Sequence, residues 1–432
     1  MTGLVCKSLR FLVCSAAIAV LSPAFAESAG QLVRQPPVRT QLDEPVDAYL
    51  RSLTPMQRIS LLFLVNIDGS VSYRALEYDD AGSPLVPGGC LFFSYNVASS
   101  AEKVIAFTQA IADYCEHHRL PRPYTAIDQE GGSVNRLRDI ASPLPSPHLV
   151  SRILTPRKAA ELYSKQGEQM AALGFDLNLA PVIEAAAPYN GDFLARRIYG
   201  PAAEVAAFSF AAVRAYQAQQ VMCAVKHFPG NSSTDPHSGV SVIAAGEKEL
   251  ALSLDLPFSF TLAASPAAVL MSHAVVPSVD PDTPAVLSRI WIKDVLRGAF
   301  GYEGLVISDD IFMGALSSFD RKELAVRALR AGADVLMLSD KYFRDCAGAL
   351  LDEAEKDPSF AACLHEAQRQ VVLFKLRAGL LRTQKAADGT LQLVEVSLRD
   401  QRGTVDVRLK VFRDAKERGT SFYRTYFTGD AR

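Results

Sequence analysis

The sequence predicts an α/β fold, a (β/α)8 TIM barrel forming a single catalytic domain with a short C-terminal β extension. Three observations carry that prediction. Short apolar runs alternate with longer helical patterns, polar groups follow directly on several of those runs, and the composition suits a large buried core. The 432 residues are 49% hydrophobic and 21% charged, the balance of an ordinary globular chain rather than a disordered one. Forty-five basic residues face 47 acidic ones, so the formal charge of -2 gives no general field to gather nucleic acid or an anionic surface.

At the amino end, Lys7 and Arg10 precede an apolar run from Phe11 to Leu21 that closes on Ala24-Phe25-Ala26. This pattern predicts a secretory signal peptide over 1–26, and hence a periplasmic or extracellular protein. The run is shorter than the roughly 20 apolar residues that cross a bilayer, and no later run reaches that length, so no membrane span is expected. Val13 and Phe11 ahead of Cys14 argue against lipid attachment there. A Pro-rich lead-in occupies 27–44 and the barrel 45–385.

The predicted strands are Leu62–Ile67, Cys90–Phe93, Tyr124–Ile127, Leu177–Ala180, Cys223–Lys226, Ala268–Ser272, Leu305–Ile307 and Val335–Leu338. Eight is the number that closes a barrel, although an open doubly wound sheet gives the same alternation. Helical patterns span Ala101–His117, Pro156–Leu173, Ala202–Gln219, Ser288–Gly298 and Arg321–Ala331, with Lys341–Leu381 packing the end. Thr54-Pro55 and Thr155-Pro156 each place a capping hydroxyl before a first-turn proline. In the extension, 386–432, Val405, Val407, Leu409 and Val411 alternate with charged residues at period two, which predicts a strand; Leu391–Leu398 is its candidate hairpin partner across Asp400–Gly403, with a frayed tail after the barrel as the alternative.

Of seven cysteines, two fall in the leader; Cys90, Cys115, Cys223, Cys346 and Cys363 are scattered, and no Cys/His spacing suits a metal. Cys90 and Cys223 sit inside apolar runs, where buried free thiols are expected.

The chemistry sits at strand ends. Asp128 follows Tyr124–Ile127 and leads into Gln129-Glu130-Gly131-Gly132. Lys226-His227 closes a run and opens Phe228-Pro229-Gly230, His273 follows Ala268–Ser272, and Ser308-Asp309-Asp310 follows Leu305–Ile307. In a barrel these ends converge on one rim, where each group is partly desolvated without stabilising the fold. Plainer roles exist: Asp128 as a turn cap, Lys226 with His227 as a structural pair, the aspartate doublet as one cap and one solvated carboxylate. For His273 the plainer role, an outer histidine that satisfies its neighbours, is the one expected.

These residues resemble glycoside hydrolase family 3, in its bacterial beta-N-acetylglucosaminidase (NagZ-type) branch. The likeness runs from Ala126-Ile127-Asp128-Gln129-Glu130-Gly131-Gly132 and Asn135-Arg136-Leu137, through Leu144-Pro145-Ser146-Pro147, Leu177-Asn178-Leu179-Ala180-Pro181-Val182 and Lys226-His227-Phe228-Pro229-Gly230, to Ala285-Val286-Leu287-Ser288 and Gly304-Leu305-Val306-Ile307-Ser308-Asp309-Asp310. Ordered matches extend from about Leu53 to Leu381. The resemblance implies a retaining beta-N-acetylhexosaminidase in which Asp309 is the nucleophile and His237, oriented by Asp235, is the acid/base. It implies that Asp128, Arg136, Lys226 and His227 hold sugar hydroxyls, that Arg197 lies near the acetamido-bearing ring, and that Met271 lines the substrate pocket. The chain departs from the branch at Asn231-Ser232, where His-Gly is usual, and at Arg196-Arg197, where Asp-Arg is usual.

Retaining hydrolysis needs a carboxylate to attack the anomeric carbon and a proton donor roughly 5 Å away. A histidine serves as donor because its reference pKa of about 6.5 lies near operating pH. The expected substrate is an N-acetylglucosamine-containing oligosaccharide or muropeptide, from peptidoglycan or chitin-like polymer, handled by a monomer without metal or organic cofactor. Two alternatives stay open on the same residues: a phosphorylase, since a histidine acid/base does not repel phosphate, and a non-catalytic sugar-binding barrel.

Overall fold

A computed structural model describes residues 39–428 apart from 80, 237, 238 and 318. The predicted leader at 1–26 therefore lies outside the described residues, as does His237.

Eight parallel strands close into a barrel: β1 Phe63–Asn66, β2 Gly89–Phe92, β3 Tyr124–Ile127, β4 Leu177–Asn178, β5 Met222–Phe228, β6 Ala268–Met271, β7 Leu305–Asp310 and β8 Val335–Leu338. Each is bonded to its neighbour in sequence, and β8 and β2 flank β1 to complete the ring. Every predicted strand is present. Their apolar runs are continuous rather than alternating because both faces are buried, one by the barrel interior and one by helices.

Outside the barrel lie α1 Arg39–Arg51, α2 Ala101–His118, α3 Pro156–Leu173, α4 Ala202–Ala218, α5 Ile290–Ala299, α6 Arg321–Ala331, α7 Phe343–Lys356, α8 Pro358–Arg377 and α9 Val405–Tyr423. Local chemistry sets their limits. The Thr155 hydroxyl accepts from Lys158 N and Pro156 opens the first turn of α3, which Gly174 ends in the left-handed region at φ 95°. Before the barrel, Thr54 and Gln57 form a reciprocal capping box on the short helix Pro55–Ser60. Aromatic edges knit the layers together: Phe92 meets Phe175 at 5.1 Å, and Phe228 meets Phe258, Trp291 and Phe300 within 6.0 Å.

The extension differs from its sequence reading. A hairpin does form, but it joins β9 Leu381–Lys385 to β10 Leu391–Glu395, and the helical pattern after Lys341 breaks at Asp357 and ends at Arg377. The expected strand at 405–411 is instead the start of α9, capped by Thr404. Its alternating valines misled because Val405, Val407 and Val411 face solvent. The buried face is Arg408, Phe412, Ala415, Gly419 and Phe422, spaced at helical intervals. Arg408 anchors that face, donating from Nε to Ala172 O at 2.9 Å, from one terminal nitrogen to the Thr108 hydroxyl at 2.7 Å, and from the other to Gln109 at 3.2 Å. The guanidinium thus bridges α2 and α3. Beneath the barrel, Asp176 accepts from Thr125 N at 3.1 Å and pairs with Arg402 at 3.3 Å, tying the extension to the start of β3 and β4.

All five cysteines among the described residues are free, and Cys90, Cys115, Cys223 and Cys346 are buried.

Candidate active site

The carboxyl ends of β3 to β7 gather the site. β3 ends at Ile127, so Asp128 is the first residue past the sheet, and a small ribbon pairing Gln129–Gly131 with Val134–Asn135 turns the chain back on itself. Gly131 makes that turn possible. It sits at φ 103°, where a Cβ would lie 2.2 Å from Pro145 O. Asn178, the last residue of β4, holds the ribbon by accepting from Gln129 N at 3.1 Å and donating to Gln129 O at 3.2 Å.

Two irregularities of register re-aim the adjoining strands. Along β5 and β6, Leu270 pairs with Lys226 and then Met271 with Phe228, so His227 is an extra residue. Along β7 and β8, Ile307 pairs with Val335 and Asp310 with Met337, so one extra residue falls within Ser308-Asp309. A regular strand sends consecutive side chains to opposite faces, and a bulge breaks that rule. Lys226 and His227 accordingly both reach polar partners at the mouth.

Lys226 is buried and lies 2.7 Å from both Asp128 Oδ1 and Glu130 Oε1. Glu130, 1% exposed at its side chain, also takes the Arg197 fork, Nε to Oε2 at 2.9 Å and a terminal nitrogen to Oε1 at 2.8 Å. Arg136 stands 3.9 Å from Asp128 Oδ2, and its guanidinium lies over the Phe93 ring at 5.9 Å. Burial alone would raise the Glu130 carboxyl, but the charges of Lys226 and Arg197 outweigh it and hold the carboxyl at about 2. For Lys226, burial works against the charged form, yet Asp128 and Glu130 raise its pKa above the usual lysine value.

His227 Nδ1 meets Glu184 Oε1 at 2.6 Å, and the same carboxylate accepts from Asn231 N at 2.6 Å and Asn231 Nδ2 at 3.0 Å. Asp309 is half-buried at the end of β7. Burial would raise its carboxyl, but His227, His273, Lys226 and the hydrogen bond from Asp310 N at 2.9 Å together bring it below the usual range. Behind it, His273 Nε2 donates to Asp310 O at 2.8 Å, the outer role expected for that histidine.

The structure therefore brings Asp309, Asp128, Arg136, Arg197, Lys226 and His227 to one mouth. Met271 is fully buried at the end of β6, in register between Phe228 and Ser308. Asp235 lies exposed on the loop after β5, whose base is fixed by Ser232 N to Ser241 Oγ at 2.8 Å and by Ala315 N to Pro236 O at 3.1 Å. Sequence reasoning gave no role to Glu130, Glu184 or Asn231. Glu184 carried a usable signal, as the first charged residue beyond β4 in a chain of strand ends that bear charge. Among the described residues, no group of three or more His, Cys, Asp or Glu could hold a metal ion, and no helix is long and apolar enough to cross a membrane.

An ionised carboxylate beside interleaved cations and acceptors suits a neutral ligand rich in hydroxyls, with the carboxylate free to bond to one of its carbons. Comparison with known proteins points the same way. The model described as glycosyl hydrolase family 3 N terminal domain matches residues 83–372. The chain is 34% identical over 277 residues to the beta-hexosaminidase of Stenotrophomonas maltophilia (strain R551-3), covering 62% of this chain and 78% of that one. It is 35% identical over 287 residues to the beta-hexosaminidase of Xylella fastidiosa (strain 9a5c), covering 64% and 83%. Among solved structures, the beta-N-acetylhexosaminidase of Beutenbergia cavernae DSM 12333 aligns with a TM-score of 0.67 at 28% identity, over 75% of this chain and 98% of that one. The family 3 beta-N-acetylglucosaminidase of Paenibacillus sp. str. FPU-7 aligns with a TM-score of 0.69 at 26% identity, over 84% and 69%.

Proposed function

The chain belongs to glycosyl hydrolase family 3, and on that premise we propose that it is an exported beta-N-acetylhexosaminidase that removes terminal beta-linked N-acetylglucosamine from peptidoglycan or chitin-like fragments as a monomer. The observation that carries the reading is Asp309, an ionised carboxylate on a bulged strand end, beside Lys226 and His227 at the barrel mouth.

Asp309 attacks the anomeric carbon and forms a covalent glycosyl ester while the glycosidic oxygen takes a proton and leaves. The proton comes from His237, held in its tautomer by Asp235 two residues earlier, as carboxylate partners hold catalytic imidazoles. Water, deprotonated by the same imidazole, then opens the ester and restores Asp309. Asp128, Lys226 and Arg136 fit hydroxyl recognition, since each keeps a charged group at the mouth. Arg197 stands behind Glu130, so its influence on the acetamido side passes through that pair. The moored base of the loop supports a dyad near β7, because Ala315 lies five residues beyond Asp310.

Hydrolysis of p-nitrophenyl N-acetyl-beta-glucosaminide between pH 4 and 8 tests the proposal. Release of free N-acetylglucosamine, in the presence or absence of phosphate, is the expected result. Purified, folded protein that is no faster than Asp309→Asn would overturn it, and sugar 1-phosphate as product would replace it with phosphorolysis.

A further inference from the structure

We propose that Glu184 is a positioning residue that couples the sugar-facing imidazole of His227 to the root of the loop bearing Asp235. The inference rests on the glycosidase reading and assigns to that site a residue that touches neither sugar nor leaving group.

Glu184 lies just past β4, on a segment laced to β5 by Ile183 N to Lys226 O at 2.7 Å and Lys226 N to Pro181 O at 3.1 Å. The residue is 3% exposed, so the bonding of its carboxylate is fixed by protein groups rather than by bulk water. One oxygen takes His227 Nδ1 at 2.6 Å and Asn231 Nδ2 at 3.0 Å, and the other takes Asn231 N at 2.6 Å. The same oxygen that holds Nδ1 lies 3.4 Å from His227 N. Gly230, between the two arms, sits at φ 138°, a backbone conformation that favours glycine.

Two consequences follow from that geometry. A carboxylate on Nδ1 fixes the imidazole with Nδ1 as donor, which leaves Nε2 to face the pocket. Asn231 is the first residue after Phe228-Pro229-Gly230, and from it the chain runs through Ser232, held by Ser241, to Asp235 and to Pro236, held by Ala315. One buried anion therefore sets both the ring that meets the sugar and the start of the loop that carries the proton-donating pair. The groups facing His227 are Glu184 from the segment after β4, Lys226 on its own strand and Asp309 from β7, with Arg197 and Asp128 further along the network.

The test uses the full mature chain, with wild-type hydrolysis of p-nitrophenyl N-acetyl-beta-glucosaminide measured first. Glu184→Gln keeps the volume but loses the charge, and a ten- to hundredfold fall in kcat/KM is expected, roughly the range of a charge-assisted hydrogen bond. Weaker N-acetylglucosamine binding by calorimetry and a displaced pH profile should accompany it. Glu184→Asp should recover part of the loss. Asn231→Ala removes the Nδ2 bond of the loop arm and leaves its backbone N–H bond in place, so kcat should fall several-fold while N-acetylglucosamine affinity stays within twofold of wild type. The double variant Glu184→Gln/Asn231→Ala should be no worse than Glu184→Gln alone. An active wild type whose Glu184→Gln variant keeps its rate and pH profile, or strictly additive losses in the double variant, overturns the coupling. If Glu184→Gln does not fold, an Asn231→Ala variant with unchanged kcat overturns it instead. An inactive wild type sinks the glycosidase reading itself.

Discussion

Ala315 donates its backbone N–H to the carbonyl of Pro236 at 3.1 Å, and this bond moors the loop after β5 beside the strand end that carries Asp309. Ala315→Pro removes the donor at a site in the first turn of a short 3-10 helix, where proline is tolerated. A lost hydrogen bond of about 1 kcal/mol corresponds to roughly a fivefold fall in kcat. Calorimetry should show N-acetylglucosamine affinity unchanged; a fall in affinity with kcat intact would place the effect elsewhere.

Asp309→Asn should cost on the order of a thousandfold or more in kcat/KM, with sugar binding retained, since on the proposed mechanism it removes the attacking group but not its surroundings. Because the folded carboxyl lies below its ordinary value of 3.8, the ionised form persists as pH falls through that value. The acid limb of kcat/KM should therefore lie at pH 4 or lower. A limb above pH 5 would contradict the charge arrangement around Asp309.

Glu130→Gln leaves Lys226 and Arg197 buried without their shared anion, which should destabilise the fold by about 3 kcal/mol at pH 7. The folded pKa of about 2 lies below the ordinary 4.5, so the wild-type advantage is complete above pH 4.5 and is lost as pH falls through 2. Urea titrations at pH 7 and pH 3 should show the gap between variant and wild type narrowing in acid. A gap that widens there would refute the assignment.

Arg408→Met should loosen α9 from α2 and α3, because three acceptors lose a buried donor at once. A cost of about 2 kcal/mol is expected. Limited proteolysis near Gly403 should accelerate while activity per folded molecule holds, since α9 supplies no group to the mouth. Equal protease resistance in variant and wild type would show that the guanidinium is not the anchor.

Native protein should react slowly or not at all with a thiol reagent at Cys90, Cys115 and Cys223, where burial pushes the thiols well above their ordinary value. Half-buried Cys363 should react first, and all should react once the chain is unfolded. Rapid native labelling at Cys90 would mean that the barrel wall opens.

The eight strands were legible because each is a short apolar run with a polar residue at its far end, and burial on both faces leaves no competing period. Asp128, Lys226, His227 and Asp309 were legible for the same reason. The bulges at His227 and within Ser308-Asp309 were not, since an added residue in a ladder depends on the neighbouring strand rather than on local composition. Glu184 escaped notice because Ala180 to Ile183 carry no charge and its partners, His227 and Asn231, lie more than 40 residues away. The helix α9 was misread because a buried arginine and outward valines invert the usual polarity of a docked helix; only tertiary contact with Thr108 and Ala172 makes Arg408 an interior residue.

Acids and bases alternate around the barrel mouth, from Arg136 and Asp128 to Lys226, Glu130 and Arg197. Such pairing cancels the potential within a short distance, so little of it reaches into solution to draw or repel an approaching molecule. Capture of an uncharged glycan should thus proceed at nearly the same rate in fresh and in briny surroundings.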